Sequence, residues 1–373
     1  MNISTIHDCY GCGLCATVCG KSIISMQLNA DGFYEPHIKD LSACVDCGLC
    51  ISVCSFANKF EPRTPFKSYA AWSKDGNQRK ISTSGGVSAE IAKILMSNGY
   101  KFCGVRYNPI YNIAEHYIAK NTEEISASFG SKYIQSYTKN AFLEIDRKQK
   151  YLVTGTPCQI ASFRRYIQKF HCEENFVLVD FFCHGVPSKL MWDKYVNERC
   201  PNLRDIKHVS WRNKEKGWQN SYCVTIESSK GKHQTWGAND DFITLFIGDA
   251  CLGKACYDSC KFKYDHSVAD IRIGDLWGNT YSHDTEGVCA AIAFTERGEH
   301  VLHQANLELR EHTFEEVAGG QMRHCAKRPW YYERTMKVIK SPDNSLSSLA
   351  AMVRTYKTIL RQFHKIKKFV TSK

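Results

Sequence analysis

Two short cysteine runs near the N-terminus have the spacing of iron–sulfur ligands. The runs CYGCGLCATVC and CVDCGLCISVC both read C-x2-C-x2-C-x3-C, and the second lies 35 residues after the first. Three thiolates within seven residues can surround one compact inorganic cubane, whereas structural zinc sites usually pair two CxxC knuckles across a longer gap. The spacing therefore favours two [4Fe–4S] clusters, with structural zinc as the alternative.

In these two runs, residues 1–60 resemble the bacterial two-[4Fe–4S] ferredoxin family, in which the fourth cysteine of each run binds the other cluster. The family usually has proline after that cysteine, but Gly20 and Ser55 stand there in this chain. Between the runs, Asp31-Gly32 predicts the tight turn of a β-hairpin. The resemblance implies one cluster on Cys9, Cys12, Cys15 and Cys54, and a second on Cys44, Cys47, Cys50 and Cys19.

Cysteines further along the chain could form a third site. Cys158 follows the apolar run YLVTG, and Cys183 follows FVLVDFF. Cys256 and Cys260 are four residues apart, a spacing that would place them on one face of a helix, and Cys251 is close by. Two thiols at strand ends and a close pair can together make a four-thiolate site. The alternative is that these cysteines are small apolar side chains of the core.

Cys158 and Arg164 also have the C-x5-R spacing of a phosphatase nucleophile loop. Such a loop needs glycines and free backbone N–H groups to hold phosphate. The intervening Gln-Ile-Ala-Ser-Phe contains no glycine and is typical of the first turns of a helix. The composition of this segment therefore argues against a phosphatase.

Short apolar runs alternate with helical stretches after residue 66. Runs such as KFCGVRY, FVLVDFFC, ADIRIGDLW and CAAIAF predict strands, and GGVSAEIAKILMSNG and PCQIASFRRYIQKF predict helices. Alternation of this kind indicates an α/β domain. We expect an α+β ferredoxin-like N-terminal domain over residues 1–60, a larger α/β domain over 66–335, and a basic amphipathic C-terminal helix over 341–373.

Several motifs of the larger domain together resemble the beta subunit family of coenzyme F420-reducing hydrogenase and dehydrogenase. They include STSGGVSAEIAKIL, GTPCQIASFRRY, FFCHGVPSKLMWDKY, ACYDSCKFK and DIRIGDLWG, in this order. The resemblance implies that the domain binds FAD beside a third [4Fe–4S] cluster. Its ligands would be Cys158, Cys183, Cys256 and Cys260. The last pair departs from the usual C-x2-C spacing, so Cys251 could take the place of Cys256.

The expected flavin site lies where glycines precede an apolar-periodic helix. A pyrophosphate could approach the backbone of Ser84, Gly85 and Gly86, although these residues would equally make an ordinary N-cap. Lys132 could meet a phosphate, and Asp275 ends a strand, where α/β sites gather. His184 could donate a proton, with a structural histidine as the alternative. The predicted cofactor-binding residues are Ser84, Gly85, Gly86, Lys132 and Asp275, and the predicted catalytic residues are His184 and Lys132.

The composition indicates which ligands, partners and cellular compartment to expect. The chain has 373 residues, 19 cysteines and a formal charge of +11. An unusually high and odd number of cysteines favours metal ligation over disulfides. Each cluster with four thiolates carries about −2, so three clusters leave roughly +5, which gives no reason to expect nucleic acid as a partner. The N-terminus shows no signal peptide, and we expect a cytoplasmic protein.

The segment after residue 343 has an apolar stripe and no acidic residue. It is compatible with packing on the domain, with pairing in a homo-oligomer, or with contact to a membrane surface.

We therefore expect an iron–sulfur flavoprotein oxidoreductase that takes electrons from a redox partner such as a ferredoxin or a reductase. The electrons would pass through three clusters and FAD to a small organic substrate. The alternatives are an F420-dependent electron-transfer subunit of a larger complex and a non-enzymatic cluster-binding scaffold.

Overall fold

A nine-stranded mixed sheet lies at the centre of the molecule, which the computed structural model describes over residues 2–371, with side chains given for residues 2–363. The strands are β1 Ile24–Leu28, β2 Tyr34–Ile38, β3 Lys67–Ser73, β4 Lys101–Asn108, β5 Ile113–Ala119, β6 Ser136–Tyr137, β7 Tyr151–Thr154, β8 Phe176–Phe181, β9 Ile206–Arg212, β10 Tyr222–Ser228, β11 Gly231–Trp236, β12 Ile271–Asp275, β13 Cys289–Ala293 and β14 Leu307–Glu311. The helices are α1 Leu14–Thr17, α2 Leu49–Ser52, α3 Gly76–Ile81, α4 Val87–Ser97, α5 Lys139–Leu143, α6 Pro157–Lys169, α7 Lys189–Arg199, α8 Asp241–Ile247, α9 Lys254–Asp258, α10 Glu296–Gln304, α11 Phe314–Val317, α12 Tyr332–Lys340 and α13 Leu346–Thr371.

The order of strands in the large sheet is β14-β3-β13-β12-β8-β7-β4-β5-β6. Its four central strands, β12, β8, β7 and β4, are parallel. Their carboxyl ends therefore meet at one edge, which we call the carboxyl edge. The strands and helices expected after residue 66 are present, and the mixed α/β architecture of this part is confirmed.

Helices cover both faces of the large sheet. Apolar residues of α4 and α10 pack on one face, and α6 packs on the other through Ile160, Phe163 and Ile167. A capping box between Thr156 and Gln159 begins α6, with proline at its first position. Both features favour a helix that starts directly after β7. The start of α6 therefore lies at the carboxyl edge.

A second layer surrounds a smaller antiparallel sheet in the order β11-β10-β9. Its core contains Trp192 of α7, Trp211 of β9 and Phe242 of α8, all at most 1% exposed. Burial of large aromatic side chains supplies most of the apolar contact here. This layer holds α8 against the loops that follow the central strands of the large sheet.

The N-terminal segment packs tightly on the rest of the chain. Its predicted hairpin is present as β1 and β2, and Gly32 in the turn has a φ of +80°. Gln135 accepts a hydrogen bond from the N–H of Tyr34 and donates one to the carbonyl of Tyr10. The ammonium of Lys261 donates to three carbonyls of residues 55–58. The first sixty residues are therefore anchored to the larger domain by buried polar contacts.

The tail forms α13, and its first half packs on α8. Leu346, Leu349, Ala350 and Val353 are buried, as packing on the domain requires. Contact with a membrane surface and pairing with a second copy stay predictions, and the side chains of Lys365, Lys367 and Lys368 lie outside the described residues. Within the part of the chain that the structure describes, no helix is long and apolar enough to cross a bilayer.

Candidate iron–sulfur electron-transfer site

The first N-terminal site is a small pocket lined by the sulfurs of four cysteines. Cys9, Cys12, Cys15 and Cys54 lie around it, together with apolar side chains. Burial, and then the neighbouring Cys12 and Cys54, raise the pKa of Cys9 to about 12. Burial likewise raises the pKa of Cys12 to about 11. Without metal these thiols hold their protons at neutral pH, so loading the site releases protons.

Two glycines in the repeated Cys-Gly-Leu-Cys sequence shape the loops around the N-terminal sites. Gly13 and Gly48 precede α1 and α2 in the left-handed conformation, with φ of +77° and +72°. Only glycine adopts this conformation without steric cost. The repeat therefore builds the same turn twice and places each run of cysteines at the start of a short helix.

The second N-terminal site lies nearer to the solvent. Cys47 is exposed and Cys44 is half-buried, whereas Cys50 is buried beside Cys47. Cys19 packs against the apolar cluster that contains Cys50. These four cysteines, which the resemblance assigns to the second cluster, thus lie on the outer side of the N-terminal segment.

The third site brings distant segments together at the carboxyl edge. Cys158 lies in the first turn of α6, Cys183 follows β8, and Cys256 lies in α9. The pKa of Cys158 is well above its usual value, first because of burial and then because Cys183, Cys256 and Cys260 are close. The structure therefore brings together the four cysteines that the sequence grouped.

Two other cysteines near this site have different surroundings. Cys251 is buried in the apolar core with its sulfur 3.3 Å from Met191 Sδ, so the structure places Cys256 rather than Cys251 at the site. The helix α9 ends at Asp258, so Cys256 and Cys260 do not share a helix face as expected, and Cys260 reaches the site from the following loop. Cys325, which matched no ligand pattern in the sequence, donates its S–H to the carbonyl of Cys260 at 3.2 Å.

The cysteines of these sites are compatible with cubane clusters. Among residues 2–371, no three His, Cys, Asp or Glu side chains are close enough to hold one metal ion. In a [4Fe–4S] cubane each thiolate binds a different iron, so the ligands stand further apart than those of one zinc ion. Four converging cysteines are present at the first N-terminal site and at the third site, and four thiolates are the donor set that such a cluster needs.

Tyr10 lies between the first N-terminal site and the third site. Its ring contacts Phe56 at 5.1 Å and Phe262 at 5.6 Å, measured between ring centroids. Its hydroxyl donates to the carbonyl of Ser259, next to Cys260. Burial and then the nearby cysteines of the third site raise its pKa, so the phenol stays protonated. The two sites are therefore separated by little more than one aromatic residue.

The loop at residues 84–86 is closed by protein contacts. Ser84 Oγ donates to the carbonyl of Val288, and the N–H of Gly85 donates to Cys289 Sγ at 3.2 Å. A Cβ on Gly85 would lie 2.4 Å from the carbonyl oxygen of Ala71, and Gly86 has a φ of +87°. Packing thus accounts for both glycines, and the Ser84 hydroxyl and the Gly85 N–H, two of the donors expected to meet a phosphate, are engaged by the protein.

Lys132 and Asp275 also have protein partners. Lys132 Nζ donates to the carbonyls of Ala127, Ser128 and Phe129, and desolvation lowers its pKa to about 7. Asp275 accepts hydrogen bonds from Trp218 Nε1 at 2.7 Å and from Arg212 Nη1 at 3.1 Å. In this structure neither side chain is aimed at a phosphate.

His184 lies at the third site, and an aromatic row extends from it. Its Nε2 is 2.8 Å from Asp249 Oδ1, and its ring is 4.8 Å from that of Phe246. Successive centroids in the row are at most 6.2 Å apart, and the last pair is stacked within 5° of parallel. The aromatic row consists of His184, Phe246, Tyr133, Tyr222, Trp277 and Trp218.

The row ends beside the loop at residues 84–86, and Lys214 lies there. Its ammonium donates to the carbonyls of Arg79 and Ser84, at 2.6 and 3.0 Å, and to that of Glu286. Desolvation lowers its pKa to about 8. The carbonyls that this lysine meets lie far from it in the sequence, so its partners depend on the tertiary structure.

The phosphatase alternative has no support in the geometry. Arg164 is buried, and its Nη2 lies 3.0 Å from Asp270 Oδ2. A guanidinium held in a buried ion pair is not available to bind a phosphate beside Cys158. The start of α6 therefore serves the cysteine site alone.

Comparisons with known proteins agree with this geometry. Residues 148–316 match the family described as the C terminus of the beta subunit in coenzyme F420 hydrogenase/dehydrogenase. Residues 8–58 match the 4Fe-4S dicluster domain. A chain from the F420-reducing [NiFe] hydrogenase complex of Methanosarcina barkeri, studied by xenon derivatization, is 17% identical; the match covers 68% of this chain and 85% of that chain, with a TM-score of 0.48. No curated protein matches the chain in sequence.

The fold and the cysteine sites define an iron–sulfur protein that transfers electrons as part of an oxidoreductase. Residues 148–316 carry the C-terminal domain of the coenzyme F420 hydrogenase/dehydrogenase beta subunit, and residues 8–58 carry a 4Fe-4S dicluster domain. The family resemblance read from the motifs is confirmed.

Proposed function

We propose that this protein is an iron–sulfur flavoprotein that passes electrons from a ferredoxin-type donor through three [4Fe–4S] clusters to FAD and on to a small organic substrate. The observation that carries the proposal is the convergence of Cys158, Cys183, Cys256 and Cys260 at the carboxyl edge, next to the first N-terminal site. In α/β folds this edge is where ligands gather.

The protein's own part in such a reaction is to hold and insulate the sites. The twelve cysteines bind the irons, and the buried surroundings of Cys9, Cys12 and Cys158 exclude water from the sulfurs. Clusters supply one-electron transfer when bound, and their potentials depend on burial and on hydrogen bonds to sulfur. Lys263 donates to the carbonyls of Cys183 and His184 and keeps this strand end in place.

The flavin part of the proposal rests on the family resemblance and on the aromatic row, not on residues 84–86. Half-buried rings of Tyr133, Tyr222 and Trp277 offer flat surfaces along the aromatic row that begins at His184. A flavin is the usual converter between one-electron clusters and two-electron chemistry. His184, beside Cys183 and Asp249, is the proposed proton donor to the substrate.

The test is anaerobic reconstitution with iron, sulfide and flavin quantified on one sample. The unaltered chain should bind about twelve irons, and Cys158→Ser should lose about four of them and keep the other eight. The matched control is Cys172→Ser, because Cys172 is buried beyond the C-terminal end of α6, opposite to the end that carries Cys158, and should lose no iron. Retention of all twelve irons by the Cys158 variant would contradict the ligand assignment.

A second candidate is an electron-transfer subunit that serves coenzyme F420 within a larger complex, and the description of the matching family favours it. The exposed Cys47 at the outer N-terminal site is compatible with a docked redox partner in either case. Adding F420 to the reconstituted protein and following its absorbance separates the two. Full iron with no bound flavin and no F420 reduction would leave a cluster-binding scaffold.

A further inference from the structure

A pair of buried serines connects the first N-terminal site to the third site. Cys12 Sγ is 3.1 Å from Ser162 Oγ, which donates to Ser55 Oγ at 2.8 Å. Ser55 Oγ in turn donates to the carbonyl of Cys158 at 3.1 Å. Side-chain contacts therefore run without interruption from a cysteine of one site to the backbone of a cysteine of the other.

The serine pair is shielded from water. Ser162 is completely buried, and Ser55 is 3% exposed. The N–H of Ser55 also donates to Ser162 Oγ at 3.1 Å, which fixes the hydroxyl in place. Hydrogen bonds in such surroundings are electrostatically stronger than in water, so the direction in which each one points has consequences for nearby charge.

Binding of iron must reverse the direction of the hydrogen bond between Cys12 and Ser162. A free Cys12 thiol can donate its proton to Ser162, but a cysteine bound to iron is a thiolate and can only accept. The Ser162 hydroxyl can then donate either to the Cys12 sulfur or to Ser55 Oγ. A bond to a charged acceptor is the stronger of the two, and it favours the more negative, reduced form of a cluster.

We propose that Ser162 is a positioning residue that donates to the Cys12 thiolate and raises the reduction potential of the first N-terminal site above that of the outer one. Electrons that arrive at the exposed outer site would then collect at the site next to Cys158. One electron leaves the outer site and reduces the inner one, with no bond made or broken and no proton moved. This inference rests on the proposed electron path, and the reductant is a ferredoxin-type donor.

The test uses the full chain, reconstituted anaerobically and titrated with dithionite while each cluster is followed by electron paramagnetic resonance. The paramagnetic resonance signal that changes in Cys12→Ser belongs to the first N-terminal site, which we call the inner site. Ser162→Ala should keep its irons and shift the inner midpoint to a more negative value. A tenfold fall in the ratio of reduced to oxidised cluster at fixed potential would correspond to about 59 mV for one electron.

Ser55→Ala should shift the inner midpoint potential in the direction opposite to Ser162→Ala. It removes the oxygen that competes with Cys12 for the Ser162 proton, so the inner midpoint should become more positive. General loosening of the site would move both variants in the same direction. Ser52→Ala is the matched control, because its hydroxyl donates to the carbonyl of Leu49 at 2.8 Å, and it should leave every midpoint unchanged.

An unchanged inner midpoint in Ser162→Ala, or shifts of the same sign in the two variants, would overturn the proposal. If Ser162→Ala fails to bind iron, the sign of the shift in Ser55→Ala decides alone. The midpoints come from the clusters themselves, so a preparation without flavin still tests Ser162. Missing flavin would count against the proposed function, and missing shifts would count against the serine pair.

Discussion

The ion pair between Asp180 and Arg272 lies in the fully buried centre of the sheet, close to Cys183. Both side chains are at most 1% exposed, and Arg272 Nε lies 2.7 Å from Asp180 Oδ1. Arg272 also donates to the carbonyls of Tyr264 and His266, in the loop that follows Cys260. One buried charge pair thus holds two of the segments that carry cysteines of the third site.

Arg272→Met should destabilise the protein by about 3–5 kcal/mol, because the carboxylate of Asp180 is left buried without its partner. Chemical unfolding of the variant and of the unaltered chain measures the difference. Lys67→Met is the control for a lost ion pair, since the side chains of Lys67 and Glu311 are open to solvent, which screens their attraction, and the change in stability should be much smaller. Equal effects of the two substitutions would contradict the role given to burial.

Ser55 shows how a single departure from a family pattern can carry information. The usual residue after the fourth cysteine is proline, and the sequence has serine at this position. The structure shows that the hydroxyl of Ser55 contacts Ser162, more than a hundred residues away. The departure was visible in the sequence, but its partner was not, because the contact depends on how α6 packs against the second cysteine run.

At the scale of elements, the connection between α3 and α4 depends on close backbone contact. Gly85 lies where the chain passes over β3 and β13, and its missing side chain allows the N–H to reach Cys289 Sγ. In the sequence, the same glycines indicated room for a phosphate. Glycine at a helix N-terminus is compatible with both, and only the positions of the neighbouring strands decide between them.

Gly85→Ala should destabilise the protein by about 1–3 kcal/mol, because the new Cβ would lie 2.4 Å from the carbonyl oxygen of Ala71. Thermal unfolding provides the measurement. Gly76→Ala in α3 is the matched control: its Cβ would meet no atom within 4 Å, and the change should be neutral or slightly stabilising. A neutral Gly85→Ala would mean that this loop is free to move and could open for a ligand.

At the scale of the whole molecule, the cysteine sites connect the N-terminal segment to the large domain. The cluster-free protein holds buried thiols whose pKa values are raised, to about 12 for Cys9 and Cys256 and to about 11 for Cys12. Unfolded thiols ionise near pH 9. Above that pH the folded chain binds more protons than the unfolded chain, so its stability must fall as pH rises.

We therefore expect the cluster-free protein to lose stability progressively above about pH 9, and to show no such dependence from these thiols below pH 8. Denaturation at several pH values measures this dependence of the free energy of unfolding on pH. The loaded protein is the control, because its cysteines are already thiolates bound to iron and have no proton to lose. A cluster-free protein equally stable at pH 8 and pH 10.5 would contradict the burial of these thiols.

The local sequence was sufficient to predict the cysteine runs, the hairpin at Asp31-Gly32 and the alternating elements after residue 66, and the family resemblance supplied the candidate ligands of the third site. The cysteine runs, the hairpin and the alternating elements follow from spacing and periodicity over a few residues. The sequence could not determine that Cys256 rather than Cys251 faces Cys158, that α9 ends before Cys260, or that Lys132 binds carbonyls. Nor did it indicate the serine pair or the aromatic row. Each of these depends on contacts between segments far apart in the chain, which exist only once the sheet has brought its carboxyl ends together.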